Sequence, residues 1–150
     1  MTTAVATTNH QVRLAQRPVG LPGRECWSFT EEAVQQPAGE GDVLVKTLSL
    51  SLDPAMRGWM NDGKSYIPPV AINEVMRAGG VGVVVASKHP AFIAGDMVSA
   101  GLGVQEYCLI PGDQIKRNGI AKIDLRAGSV NQWLNVLGMP GMTGYFGLMD

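Results

Sequence analysis

At 150 residues the chain is the size of one ordinary domain, and its 45% apolar and 17% charged residues exclude a disordered or fibrous protein. A formal net charge of −1 leaves no basic excess to attract nucleic acid or an anionic membrane. The longest apolar stretch, Ala78 to Ala86, is far shorter than the ~20 residues that cross a bilayer. The opening residues, MTTAVATTNH, lack the basic start and apolar middle of a leader peptide, so a frayed tail is expected there. Cys26 and Cys108 match no metal or redox spacing, which favours reduced thiols and a cytoplasmic protein.

Nineteen glycines and nine prolines are spread along the chain between short apolar runs, the punctuation of a bent β-barrel or sandwich. Gln11 to Ala15 reads as a first strand, ended by Arg17-Pro18 and the turn-rich Gly20 to Gly23. Trp27 and Phe29 alternate with polar neighbours in a second. Asp42 to Leu52 is the clearest strand, and its apolar phase slips from odd positions (Val43, Val45) to even ones (Leu48, Leu50, Leu52). A slip of one residue moves side chains to the opposite face, so a bulge near Lys46–Thr47 is expected. Asp53-Pro54 ends the strand and opens a short helix over Ala55 to Met60, with Asp53 able to cap.

Asn61 to Pro69 is a loop. Val81 to Ser87 reads as a strand buried on both faces. His89-Pro90 turns the chain, Gly95-Asp96 starts a hairpin through Met97 and Val98, and Val104 to Ile110 returns. After a boundary near Leu125 the character changes. Ser129 is positioned to cap a helix through Leu137, Met139-Pro140-Gly141 breaks it, and Met142 to Met149 begins another. Gly141, Gly144 and Gly147 in that segment suggest close helix packing, since glycine costs ~1 kcal/mol in a helix interior.

No complete phosphate-binding glycine fingerprint is present. Gly80-Val-Gly82 lacks its third glycine and lies within strand character, and Gly101-Leu-Gly103 is followed by Glu106, so both read as barrel bends. His10 and His89 lack zinc-ligand spacing, and no nucleophile–base arrangement stands out; the scattered carboxylates suit turns.

Four segments carry a resemblance. Leu50-Ser-Leu-Asp-Pro-Ala-Met-Arg57-Gly is similar to a signature of the prostaglandin, leukotriene and curcumin reductases, the zinc-independent branch of the medium-chain dehydrogenase/reductase family. Val75 to Gly82 with His89-Pro90 and Gly95-Asp96, then Gln105-Glu-Tyr107, then Gly138 to Met149, resemble later segments of that family in the right order. The resemblance runs from about Arg17 to Asp150.

The resemblance implies a mainly β fold, a GroES-like, partly open β-barrel over 1–125, with helices over 126–150 leading into a dinucleotide-binding domain beyond them. It implies an NADP(H)-dependent oxidoreductase that reduces the C=C bond of α,β-unsaturated carbonyls or quinones, with no metal and as a homodimer. This chain alone, without the phosphate-binding half, is expected to be inactive. The cofactor carries the hard chemistry, which accounts for the missing acid–base constellation. Pro54 and Met56 would line the nicotinamide side of the cleft, and Met139 and Thr143 would approach it from the following helix. The family carries tyrosine where this chain has Ala55. Tyr66 is the candidate replacement, against the reading of a surface tyrosine on a turn. Arg57 is the second catalytic candidate, against the reading of a structural ion pair. The competing function is a stand-alone GroES-like binding or oligomerisation module.

Overall fold

The structure is a computed structural model that describes residues 6–149. Seven strands dominate it. Strands β1 (Thr8–Leu14) and β2 (Trp27–Ala33) form an antiparallel ribbon with Val12 opposite Phe29. The others, β3 (Val43–Leu50), β4 (Gly79–Ser87), β5 (Met97–Gly101), β6 (Tyr107–Ile110) and β7 (Ala121–Lys122), form an antiparallel sheet in the order β6-β3-β4-β5-β7. Strand β1 closes onto the second unit through backbone bonds: Val12 N–H donates to the Val104 carbonyl at 2.9 Å, Met76 N–H to Val12 at 2.9 Å and Glu106 N–H to His10 at 3.1 Å. The result is a partly open, mainly β barrel. Among the described residues no helix is long and apolar enough to cross a membrane.

Strand β1 begins at Thr8, so His10 belongs to the barrel and not to a frayed tail. Its Nδ1 lies 2.6 Å from Glu106 Oε2. The phase slip in β3 has a structural counterpart at Leu48, which is skipped in the pairing with β4 and is 51% exposed. A second irregularity lies between Leu44 and Val45, opposite Ala86 and Val84. Gly80 and Gly82 are sites of close strand approach. A Cβ at Gly80 would come within 2.8 Å of the Ser49 carbonyl, and one at Gly82 within 2.5 Å of the Lys46 carbonyl. At this close crossing β4 is buried on both faces from Gly80 to Gly82; beyond it only Val84 is buried and the rest of the strand is half-exposed.

Two apolar clusters fill the barrel. One gathers Val43, Val45, Val84, Val98, Leu102 and Ile110; the other gathers Leu14, Cys26, Met60, Val70 and Met76. Cys26 and Cys108 are both buried free thiols. The buried amides of Asn9 and Gln11 both reach Gln105 Oε1, at 3.3 and 3.0 Å, so the seam between β1 and the chain leading into β6 is polar and paired.

Among the described residues there are also four α-helices: α1 (Ala55–Trp59), α2 (Ile115–Asn118), α3 (Val130–Leu134) and α4 (Met139–Met149). Helix α2 escaped the sequence pattern because a single turn has no periodicity to read; Gly119, left-handed at φ 75°, closes it. Ser129 caps α3 in a capping box with Gln132, but α3 stops at Leu134, because Asn135 leaves helical geometry at φ −124° and ψ −99°. Pro140 does not break α4; it occupies its first turn, where a missing N–H costs nothing. Of the three α4 glycines only Gly141 is sterically required, its missing Cβ standing against the Val136 carbonyl. Gly144 and Gly147 face open space.

Candidate active site

The turn from β3 into α1 is built by backbone bonds. Ser51 N–H donates to the Gly79 carbonyl at 2.9 Å, tying the end of β3 to the start of β4. Met56 N–H then reaches the Asp53 carbonyl at 3.0 Å, and Arg57 N–H that of Pro54 at 3.2 Å. Pro54, at φ −55°, is preset for this turn. The Asp53 side chain does not cap the helix; α1 carries no side-chain cap. Asp53 instead donates its backbone N–H to Met56 Sδ at 3.4 Å.

Helix α1 divides its side chains by spacing. Met56 and Met60, four apart, turn toward the second apolar cluster. Trp59 also packs against that cluster while remaining half-buried, and Ala55, one turn before it, is exposed. Arg57 directs its donors to the protein. Its Nε and Nη2 donate to the Gly20 carbonyl at 3.0 and 2.7 Å, Nη2 also to Pro18 at 3.4 Å, and Nη1 to Asn61 Oδ1 at 2.6 Å. The guanidinium therefore clamps the 18–20 loop onto α1.

Tyr66 is 78% exposed, yet it is not a free surface residue. The Trp59 indole Nε1–H donates to its hydroxyl oxygen at 3.0 Å. The Arg77 guanidinium lies 5.5 Å from the Trp59 ring centroid, and its Nη1 donates to the Pro68 carbonyl at 3.1 Å. The loop carrying Tyr66 is thus held from α1 and from the residues entering β4. Met139 and Thr143 lie one turn apart on α4, where Met139 is 72% exposed and Thr143 Oγ1 donates back to the Met139 carbonyl at 2.9 Å. The structure brings together Pro54, Met56, Arg57 and, through Trp59, Tyr66. Among the described residues, Met139 and Thr143 make no hydrogen bond to α1.

A groove of about 350 Å³ runs between α1 and the β1–β2 ribbon, walled by Val12, Trp27, Phe29, Met56 and Val104. A neighbouring cleft of about 480 Å³ shares Val12, Phe29 and Val104 but has a polar rim that includes His10, Glu31 and Glu106. There Glu106 raises the His10 pKa, and His10 lowers that of Glu106. The alternation of Trp27 and Phe29 was legible; that both wall a groove against α1 depends on tertiary closure. Among the described residues no three His, Cys, Asp or Glu side chains converge as a metal site would require.

Residues 10–117 match the family described as the N-terminal domain of oxidoreductases. The chain is 44% identical over 95% of its length to the NADPH-dependent curcumin reductase of Escherichia coli, and 38% identical over 97% to a putative NADP-dependent oxidoreductase of Bacillus subtilis. The chain belongs to the zinc-independent medium-chain reductases, as their N-terminal domain. Crystal structures of CurA from Vibrio vulnificus superpose with TM-scores of 0.81 and, in complex with NADPH, 0.82, at 42% and 41% identity over 95% and 94% of this chain. The barrel is therefore the partial GroES-like fold of these reductases. The chain spans about two fifths of its relatives, 39% of the E. coli protein and 40% of either CurA chain.

Proposed function

We propose that this chain is the substrate-side domain of an NADP(H)-dependent reductase that saturates the C=C bond of α,β-unsaturated carbonyls, with quinones as a related class. Family membership supports the cofactor and the reaction type. The single observation that carries the reading is the Tyr66 hydroxyl held by Trp59 of α1, the helix on which the family resemblance expects tyrosine at position 55. A second route thus brings a phenol to the same helix.

The residues present fit one end of the cofactor. On α1 and the turn before it, exposed Pro54 with half-buried Met56 offers apolar surface against which a flat ring could lie; exposed Met139 and Thr143 offer a separate surface on α4. The phosphate end has no match among the described residues: the space above Gly80 and Gly82 is filled by the β3 backbone, so neither forms a cradle. When bound, the reduced nicotinamide would supply a hydride to the carbon β to the carbonyl, and a proton from water would complete the saturation at the α carbon of the resulting enolate. Tyr66 donates a hydrogen bond to the carbonyl oxygen as negative charge gathers there. Pro54 and Met56 orient the rings, and the apolar groove shields the substrate's hydrocarbon part. Arg57 acts by fixing α1 against the 18–20 loop.

In this reading the catalytic barrel covers 1–125, residues 126–150 lead into the dinucleotide-binding domain, and the protein works as a homodimer. The chain alone does not turn over. The test is cofactor binding and enone-dependent NADPH oxidation, measured on this chain and on the full-length polypeptide. Turnover by the full-length protein only, falling about a hundredfold in Tyr66→Phe, is expected. Micromolar NADPH binding by this chain alone, or full activity in Tyr66→Phe, overturns it.

A further inference from the structure

The indole of Trp59 joins two groups that the reaction scheme treats separately. Its N–H occupies one lone pair of the Tyr66 oxygen at 3.0 Å, and its face carries the Arg77 guanidinium at 5.5 Å. A phenol that accepts a hydrogen bond from a fixed indole has its own O–H left to donate, and that proton must point away from the indole. Nothing among the described residues accepts it. Arg77 uses Nη1 on the Pro68 carbonyl and keeps its other N–H groups without a protein acceptor among the described residues.

The loop between α1 and Val70 is fixed at both ends. Val70 N–H donates to the Trp59 carbonyl at 2.9 Å, and Arg17 Nη1 reaches the carbonyls of Met60 and Val70 at 2.7 and 3.2 Å. The loop is thus anchored at its ends, and within it Tyr66 is held by the Trp59 indole although most of its surface is open to solvent. The Tyr66 O–H and the Arg77 guanidinium, both bordering the Trp59 indole, suit an acceptor oxygen that gains negative charge and disfavour a cationic ligand.

We propose that Trp59 and Arg77 are positioning residues that present the Tyr66 O–H outward as a donor to a carbonyl oxygen, in a site that discriminates against cationic ligands. The proposal rests on the enone-reductase reading for the identity of the carbonyl but not for the array itself. Trp59→Phe keeps a ring beneath Arg77 and removes only the N–H. Arg77→Leu removes the cation and the tie to Pro68.

The experiment has two arms. In the first, the Trp59 indole N–H resonance of this chain is followed by NMR in the wild type and in Tyr66→Phe, and then during titration with cyclohexenone and with benzylamine as a cationic control. A shift of the indole signal in Tyr66→Phe, with the Tyr66 ring signals moving for cyclohexenone but not for benzylamine, is expected. An indole signal indifferent to Tyr66→Phe overturns the proposal whatever the enzyme does.

In the second arm, the full-length enzyme should lose about fivefold to tenfold in kcat, with KM little changed, in Trp59→Phe, as one hydrogen bond would require. That loss should vanish when Tyr66→Phe is already present. Additive losses overturn the proposal. A responsive indole in a protein that reduces no enone leaves the array standing and removes the functional reading.

Discussion

The side-chain amide of Asn9 completes two hydrogen bonds with the backbone of Tyr107, its Nδ2 donating to the carbonyl at 2.9 Å and its Oδ1 accepting from the N–H at 2.9 Å. A side chain thereby substitutes for a neighbouring strand along the outer edge of β6. Asn9→Ala leaves both backbone groups buried and unpaired. It should cost about 2–3 kcal/mol, against the ~0.5 kcal/mol or less of an ordinary surface change. Urea denaturation of this chain checks the value, and an unchanged midpoint would show that water replaces the amide.

Two glycine-to-alanine changes should move in opposite directions. In Gly82→Ala the new methyl meets the Lys46 carbonyl and the Val45 side chain at 2.5 Å, which forces β3 and β4 apart at a cost of about 2 kcal/mol or more. In Gly144→Ala the methyl meets nothing, and the gain in helix propensity is about 0.5–1 kcal/mol. Thermal unfolding reads the first. Amide exchange along α4 reads the second, since an exposed helix can strengthen without raising the global midpoint.

His10 sits between Glu106 and Glu31, with Glu106 the closer partner. A hydrogen bond to Glu106 holds the imidazolium above its ordinary range, and the same contact holds Glu106 below the ordinary carboxylate range. The raised histidine contributes stability that is present below its unfolded value and lost as pH rises through its folded one. The lowered glutamate contributes stability that is present above its unfolded value and lost as pH falls through its folded one. The pair therefore works across weakly acidic pH. An NMR titration should find the His10 midpoint raised, and Glu106→Gln should lower it.

Burial pushes the Cys108 thiol up to about 11, so at neutral pH almost none of it is thiolate. With Cys26 also buried, neither cysteine should react appreciably with a disulfide reagent such as DTNB until denaturant opens the barrel. Rapid labelling of the folded chain at neutral pH would contradict this burial.

Much of the fold was legible because its signals are local. The alternation around Trp27, the phase slip in β3 and the Ser129 cap each depend on neighbouring residues. The strand residues before Gln11 were illegible because Thr8 and Asn9 carry no apolar pattern; Asn9 earns its place by bonding a residue about a hundred positions away. At the site, the Pro54 turn was readable, whereas the Trp59–Tyr66–Arg77 array was not. Each of those residue types is ordinary by itself, and only the folded path of the 61–69 loop brings them together.

The Arg57 clamp has an evolutionary consequence. Its loop acceptors are main-chain carbonyls at Pro18 and Gly20, so the grip does not depend on the side chain between them. Gly20 is tied to its left-handed conformation at φ 78° and Pro18 is buried, but Val19 is fully exposed. Position 19 is thus a place where mutation can diversify the surface next to α1 without loosening the helix that bears the proposed site.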